Sequence, residues 1–456
     1  MFGKLFGRKA TTPVESLPQT PAARVEQTSH VLSRPASLDI IRQGDIRSRG
    51  SKRAQSYRLI ADSIIRYEQP WLKDKRMGRT WINNVIVYGF MVLGLAVSGY
   101  ICFSKAQSVV KHDFCLIMDD SFSSINPEFW GHEIQTGGYG TGSFDWTTDD
   151  AANSYVNSQG LHIRPTLTNM TTEITNAQID DGYTVNLTST GQCTSSAVFN
   201  CAIHSNRTLG TVIPPVRSAR MTTRGKKSIR YGKVEVTAKL PKGDWMWPAI
   251  WMMPEEEAYG PWPRSGEIDM MEARGNNYSF PDGGRDVFTS SLHWGPSVST
   301  DAYWRATVGK KLRRSDYSNG YHTFGLEWTE NYLITYVDFQ LQQVLYWSFK
   351  GQWDMWKRGY FSSQTANGTL IQNPWSQSPN VNAPFDKPFY LVLNVAIGSQ
   401  NGWFRDAVGG KPWIDGGATA VRDFWNAADS WLPTWGDEDE GSMTVKSVKM
   451  WELGKC

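Results

Sequence analysis

The spacing of apolar residues changes several times along the chain. Residues 1–55 carry Ser, Thr, Pro, Gln and Arg with no sustained apolar repeat, a composition that predicts a disordered tail. Over residues 57–69, Tyr57, Ile60, Ile64 and Tyr67 fall at three- and four-residue steps before Pro70, which predicts a short amphipathic helix on a lipid surface. From Val85 to Phe103 the sequence reads VIVYGFMVLGLAVSGYICF, 19 residues without a charge, enough to span a bilayer core as a helix. Beyond it the period shortens to two. In 231–240, Val234, Val236, Ala238 and Leu240 alternate with Lys233, Glu235, Thr237 and Lys239. Further strand-like runs cover 323–328, 332–339, 343–349, 389–397 and 443–451, punctuated by Gly, Asn and Pro. No internal helix and no fixed-period repeat stands out, which excludes a propeller or solenoid. Many short strands with long loops predict an all-β domain of two packed antiparallel sheets, a jelly-roll sandwich.

Charge sharpens this division. The net charge of +3 over 456 residues conceals 16 Lys/Arg against 7 Asp/Glu in residues 1–80 and 31 against 37 in the rest. Basicity therefore belongs to the tail, and a nucleic-acid-binding core is excluded. Lys73, Lys75, Arg76 and Arg79 precede the apolar run, while Lys105 and Lys111 follow it. The positive-inside rule then places the N-terminus in the cytoplasm, as a signal anchor of type II. A cleaved signal peptide would begin nearer the start, and a buried core helix would not be flanked by such charges. The expected layout is a cytoplasmic disordered basic tail at 1–80, a transmembrane helix at 84–104 and a lumenal or extracellular domain at 113–456.

Five N-x-S/T sequons, at Asn169, Asn186, Asn206, Asn277 and Asn367, all lie beyond the span. So do Cys115, Cys193, Cys201 and Cys456, which an oxidising compartment would allow to form two disulfides. Cys102, near the end of the span, is expected to be free.

The candidate chemistry lies in Gly266-Glu-Ile-Asp-Met-Met-Glu272. On a regular strand Glu267 and Asp269 share a face, whereas Glu272 is an odd step from both. One inserted residue, a β-bulge around the Met pair, would turn Glu272 back onto their face. Two glutamates and an aspartate on one wall suit glycosidic bond cleavage, with one carboxylate as nucleophile and one carboxylic acid as proton donor. Desolvation and like-charge repulsion would keep the donor protonated near neutrality. An E-x-D-x-x-E pattern arises by chance in roughly one chain in ten of this length, so its context decides.

That context is Tyr231-Gly-Lys-Val-Glu-Val-Thr-Ala-Lys-Leu-Pro-Lys-Gly-Asp-Trp-Met-Trp-Pro-Ala-Ile-Trp-Met-Met-Pro254 upstream and Ser291-Leu-His-Trp-Gly-Pro296 downstream. Together these resemble family 16 glycoside hydrolases, in the laminarinase and β-1,3-glucan-recognition-protein branch. The resemblance runs from about Asp119 to the C-terminus and is most specific between Arg220 and Pro296. It implies a concanavalin-like jelly roll with a cleft along the concave sheet. It also implies a retaining endo-β-1,3-glucan or β-1,3-1,4-glucan hydrolase or transglycosylase, with Glu267 as nucleophile, Glu272 as acid and then base, and Asp269 as helper.

By the same resemblance Trp245, Trp247 and Trp251 border the cleft, His293 adjoins the carboxylates, and Arg220 and Arg230 match family positions. Core packing is the competing reading for any one tryptophan, and a surface ion pair for each arginine. Trp294 and Trp403 offer flat apolar faces of the kind a glucan groove needs, and Asn394 interrupts a strand where a sugar hydroxyl or a neighbouring strand must partner it. Cys193 and Cys201, eight apart, match a cysteine pair of the branch, and Cys115 with Cys456 would tie the ends of the domain together.

No phosphate-binding glycine loop, zinc spacing or nucleophile-elbow serine is present in the sequence. The acidic run Asp437–Glu440 is expected to be a solvated loop. Relatives often hold a structural calcium, but Lys446 stands where they usually have an acid, which argues against it; no metal and no cofactor are expected. Two rival functions remain: a non-catalytic β-1,3-glucan recognition protein, and a membrane accessory protein of β-glucan synthesis. Recognition proteins have typically lost one or both glutamates, and here all three acids are present.

Overall fold

The computed structural model describes residues 70–107, 111–366, 368–437 and 439–456. The expected tail up to residue 69, its amphipathic helix and the Asn367 sequon lie outside the described residues. The chain divides into two units, Met1–Tyr100 and Ile101–Cys456.

The apolar run is a helix, Thr80–Gln107, whose 28 residues make it about 42 Å long. Its apolar side chains are exposed, including Phe90, Val92, Leu95 and Tyr100. It is the one helix among the described residues long and apolar enough to cross a membrane.

The alternating run at 231–240 is a strand, Gly232–Lys239, and its even-numbered residues are buried while the odd ones are not. It sits mid-way in an 8-stranded antiparallel sheet between His322–Trp328 and Met443–Leu453. A second 8-stranded sheet has the acid strand, Glu267–Ala273, near its middle. Its neighbours are Met246–Pro254 on one side and Val287–His293 on the other. Phe389–Ile397 and then Arg220–Thr222 follow Met246–Pro254, and Thr307–Lys311 forms the opposite edge.

The sheets face each other through side chains that are fully removed from water. Ile250, Met252, Ile268, Met271, Leu391, Leu393 and Val395 come from the second sheet, and Val234, Val236, Phe324, Leu326, Val445, Val448 and Met450 from the first. Each large aliphatic side chain so buried contributes about 1.5–3 kcal/mol, which fixes which face of the acid strand is free for chemistry.

A smaller core of Ile134, Ile174, Ile179, Val185, Leu187 and Ile213 supports a lobe inserted between the strands. The Cys193–Cys201 disulfide crosses it. The helix Asn176–Asp180 lies here with Thr175 and Gln178 capping each other, and the helices Ala420–Asn426 and Ala428–Trp431 lie near the C-terminus. These correct the expectation of no internal helix. Helices of one or two turns are too short to display a 3.6-residue period. Cys115 is bonded to Cys456, joining the paired strands Phe114–Asp120 and Met443–Leu453, and Cys102 is free and exposed.

Candidate active site

Gly266 opens the acid strand with φ of +83°, and a Cβ there would lie 3.1 Å from Phe385 and 3.2 Å from Pro384. Glycine meets both demands, the left-handed backbone and the lack of space. The strand then carries a bulge. Trp251 opposes Asp269 and Ile250 opposes Met271, so Met270 is the extra residue; on the other side Asp269 opposes Ser291 and Glu272 opposes Thr289. Both methionines are buried, and Glu272 returns to the face of Glu267 and Asp269.

Strand pairing extends this face across the sheet. Ala249 opposes both Glu272 and Asn394, and Asn394 opposes Arg220. Trp247 and Trp251 lie two residues either side of Ala249 and share its side. His293 opposes Glu267.

Each acid has its own partner. The Trp262 indole N–H donates to Glu267, and Trp247 Nε1 donates to Glu272 Oε1 at 3.0 Å. His293 Nε2 lies 3.2 Å from Asp269 Oδ2, an ion-pair distance without hydrogen-bond alignment, so both carboxylate oxygens of Asp269 lack a well-directed donor. On its other side, His293 Nδ1 is 2.5 Å from Asp301 Oδ2. The Tyr303 ring stacks on the imidazole at 5.0 Å.

Burial raises all three carboxyls. Glu267 is pushed up to about 8 by desolvation and then by Asp269, and Glu272 to about 7, chiefly by desolvation, with Glu267 adding to it. Asp269 is raised by desolvation and by Glu272. His293 is held well above its ordinary value: its own desolvation opposes this, but Asp269 and Asp301 outweigh it. The site therefore combines an imidazolium with carboxyls that take and release protons near neutrality, and Glu267 and Asp269 titrate as a pair. Glu267, Asp269 and His293 are also the one group among the described residues whose ligand atoms, within 4.8 Å of one another, could hold a metal ion.

Aromatic walls flank the acids. Trp247 and Trp403 stack at 4.8 Å, and the Arg274 guanidinium lies 4.1 Å over Trp403 while donating to its carbonyl. Further along the same face Trp251 Nε1 donates to Asn394 Oδ1 at 2.7 Å. Arg220 sits between the rings of Tyr139 and Trp251, at 4.0 and 4.6 Å, with its Nε donating to Glu133.

Three expected residues fall elsewhere. Trp294 is fully buried and donates its indole N–H to the Met355 carbonyl, because it directly follows His293, the last residue of its strand, and turns to the opposite side. Trp245 is buried edge-on against Phe280, Phe404 and Trp413, beneath the loop that carries Trp403. Arg230 is exposed over the Tyr231 ring, beside the Ser228–Ile229 strand that pairs with the Phe389 end of its neighbour. Trp262, Asp301, Tyr303 and Tyr139 are site neighbours that the sequence did not single out. All come from loops or single turns, and only the Pro-Trp-Pro run at 261–263, ahead of the acid strand, hinted at a fixed ring.

Of the sequons, Asn186 and Asn277 are exposed, Asn169 and Asn206 half-buried. Asp437, Asp439 and Glu440 are exposed, as expected of a solvated loop, with Glu440 paired to Lys242, and Lys446 is exposed beside the Tyr321 ring.

Comparison with known proteins places the chain in a family. The family model for glycosyl hydrolases family 16 matches residues 167–364. The chain is 35% identical over 352 residues to a beta-1,3-glucan-binding protein of Penaeus monodon, covering 74% of this chain and 90% of that protein. It is 35% identical over 184 residues to a glucan endo-1,3-beta-glucosidase of Cryptopygus antarcticus, covering 40% of this chain and 56% of that one. Among solved structures it is similar to the catalytic domain of an endo-1,3-beta-glucanase (laminarinase) from Thermotoga petrophila, with 23% identity, TM-score 0.45, and 76% of this chain and all of that one (100%) covered.

Proposed function

The chain belongs to glycosyl hydrolase family 16, and from that premise we propose that it is a retaining endo-acting β-1,3-glucan hydrolase or transglycosylase anchored in a membrane. One observation carries the reading: the bulge at Met270 sets Glu267, Asp269 and Glu272 on one face, each beside its own polar partner.

In this mechanism Glu267, a carboxylate when the proton it shares with Asp269 rests on Asp269, attacks the anomeric carbon while protonated Glu272 gives its proton to the departing glycosidic oxygen. The bond to the leaving sugar breaks and a glycosyl-enzyme ester forms. Glu272, now a carboxylate, takes a proton from water or from another sugar hydroxyl, whose oxygen bonds to the anomeric carbon as the ester bond to Glu267 breaks, so the β configuration is retained. Asp269 and the His293 imidazolium hold Glu267 as its charge comes and goes. Trp247, Trp403 and Trp251 supply flat faces for sugar C–H surfaces, and Asn394 and Arg220 supply polar atoms for hydroxyls. The apolar helix would serve as a type II anchor, with the sandwich and its sequons on the lumenal or extracellular side.

The printed name of the Penaeus relative favours a second reading, binding of β-1,3-glucan without cleavage. Incubating the full chain with laminarin, lichenan and curdlan, and following reducing ends and product lengths, separates the two. Turnover by the native chain, lost in Glu267→Gln while glucan binding persists, is the expected result. Binding with no change in chain length by the native protein would establish the second reading.

A further inference from the structure

Tyr303, stacked on His293, is followed directly in the chain by Trp304, the first of a series of exposed rings. Trp304 is 63% exposed, and Tyr360 and Trp353 are 55% and 53% exposed. Tryptophan is usually well buried, so two such rings with a tyrosine between them need a reason to face water. They are held in place. The Arg305 guanidinium lies 4.0 Å from the Trp304 ring and 4.4 Å from the Tyr360 ring, sandwiched between them. Tyr360 meets Trp353 edge-on at 6.2 Å. Arg358 Nε donates to the Trp353 carbonyl at 2.9 Å, and Trp353 and Arg358 help to line a depression of about 240 Å³. Beneath lies a rigid base, since Trp356, Phe361 and Trp375 pack together and Trp294 donates to Met355.

Tyr360 is fixed by the end of the helix Met355–Arg358: its φ of +55° is the left-handed turn that terminates the helix, its N–H donates to the Lys357 carbonyl, and its ring stays outside the core.

We propose that Trp304, Tyr360 and Trp353 form a secondary binding platform for β-glucan, gripping a distal stretch of the same polymer whose scissile bond lies at the acids. The inference rests on the β-glucan reading above and extends it to a preference for long chains. The chemistry fits an uncharged polysaccharide. Aromatic faces cover sugar C–H surfaces, and the Nε of Arg305 is a buried donor with no partner. Of the cations nearby, Arg305 is engaged by two rings and Arg358 and Lys357 by backbone carbonyls, while Lys350 is exposed at the rim of the depression. Trp304 directly follows Tyr303, whose ring stacks on His293, so the platform begins one residue along the chain from the acid site.

The test uses the full chain in detergent micelles, carrying Glu267→Gln so that binding is read without turnover. Affinity for curdlan particles and for laminaritriose is compared among this parent, Trp304→Ala, Trp353→Ala and Tyr360→Gly. Each ring removed is expected to weaken curdlan binding about tenfold while laminaritriose binding stays within about twofold. Tyr360→Gly, which relieves the backbone, should melt no lower than the parent. Unchanged curdlan binding, or parallel loss of the trisaccharide, overturns the platform. So does capture of dextran sulfate or phosphatidylserine vesicles in preference to curdlan. If the parent binds neither glucan, the β-glucan reading falls and takes the platform with it. If the parent binds both and the ring variants match it, the platform alone falls.

Discussion

Glu267, Asp269, Glu272 and His293 occupy one pocket in which burial lifts the carboxyls and two aspartates lift the imidazole. All four impose the same pH dependence on stability. A group whose folded pKa exceeds its unfolded value stabilises the fold below the unfolded value, and that contribution is lost as pH rises through the folded value. For Glu267 the window runs from the ordinary glutamate range to about 8. Glu267→Gln keeps the shape and removes the ionisation. The variant should therefore melt with the native protein near pH 4 and about 2–4 °C above it at pH 8. Thermal scans at both values check this, and a lower melting temperature for the variant at pH 8 would mean the buried charge is favourably held. Trp247 gives a kinetic counterpart. Its indole N–H lowers the Glu272 pKa, so Trp247→Phe should raise it and move the alkaline limb of kcat/KM on laminarin to higher pH. A limb that stays in place would detach Glu272 from the acid role. At this scale the acids and the Trp247–Trp251 pair were legible from strand alternation, and His293 only from the family resemblance. Trp294 was misplaced by neglecting that same alternation one residue after His293. Trp262, Asp301 and Tyr303 were not legible, since loop packing and not local pattern brings them to the acids.

The acid strand shows how an element converts sequence into a site. Its bulge was readable from the odd spacing of Glu272 against the buried methionine pair, because a regular strand would have driven a glutamate into the sandwich. Its start depends on Gly266, whose left-handed φ and crowded Cβ position aim Glu267 at His293. Gly266→Ala should cost about 1–3 kcal/mol of stability, from backbone strain together with contact against Phe385, Pro384 and Phe389. Urea unfolding measures that loss, and kcat on laminarin should fall with it as Glu267 shifts. A variant of native stability would mean the turn can rearrange freely. The strand at 232–239 was legible because its buried and open faces alternate, whereas those at 322–328 and 389–397, buried along most of their length, were legible as strand-like runs between Gly, Asn and Pro. The lobe around Ile174, Ile179 and Val185 was not, because its helix is a single capped turn and its core is assembled from distant loops.

For the molecule as a whole, composition separated a basic, low-complexity N-terminal region from an aromatic β-domain, and the apolar run between them is a helix of 28 residues. Its water-facing apolar side chains are the clearest energetic statement in the chain. At about 25 cal/mol per Å² of apolar surface, so many exposed Val, Leu, Ile and Phe residues are costly in water and stable in hydrocarbon. The proposed type II orientation rests on charge. Lys73, Lys75, Arg76 and Arg79 stand before the helix, while all five sequons lie beyond it. In sealed microsomes, protease should remove the N-terminal region and leave a protected fragment that contains the sandwich. Treating that fragment with an endoglycosidase should then increase its mobility, since sugars are added only on the lumenal side. Cys115–Cys456 should survive there as well, so the protected fragment should run faster without reductant than with it. Digestion of the sandwich in intact vesicles, with the N-terminal region protected, would invert the topology and place the acid site in the cytosol. There neither the disulfides nor an extracellular glucan would be at hand.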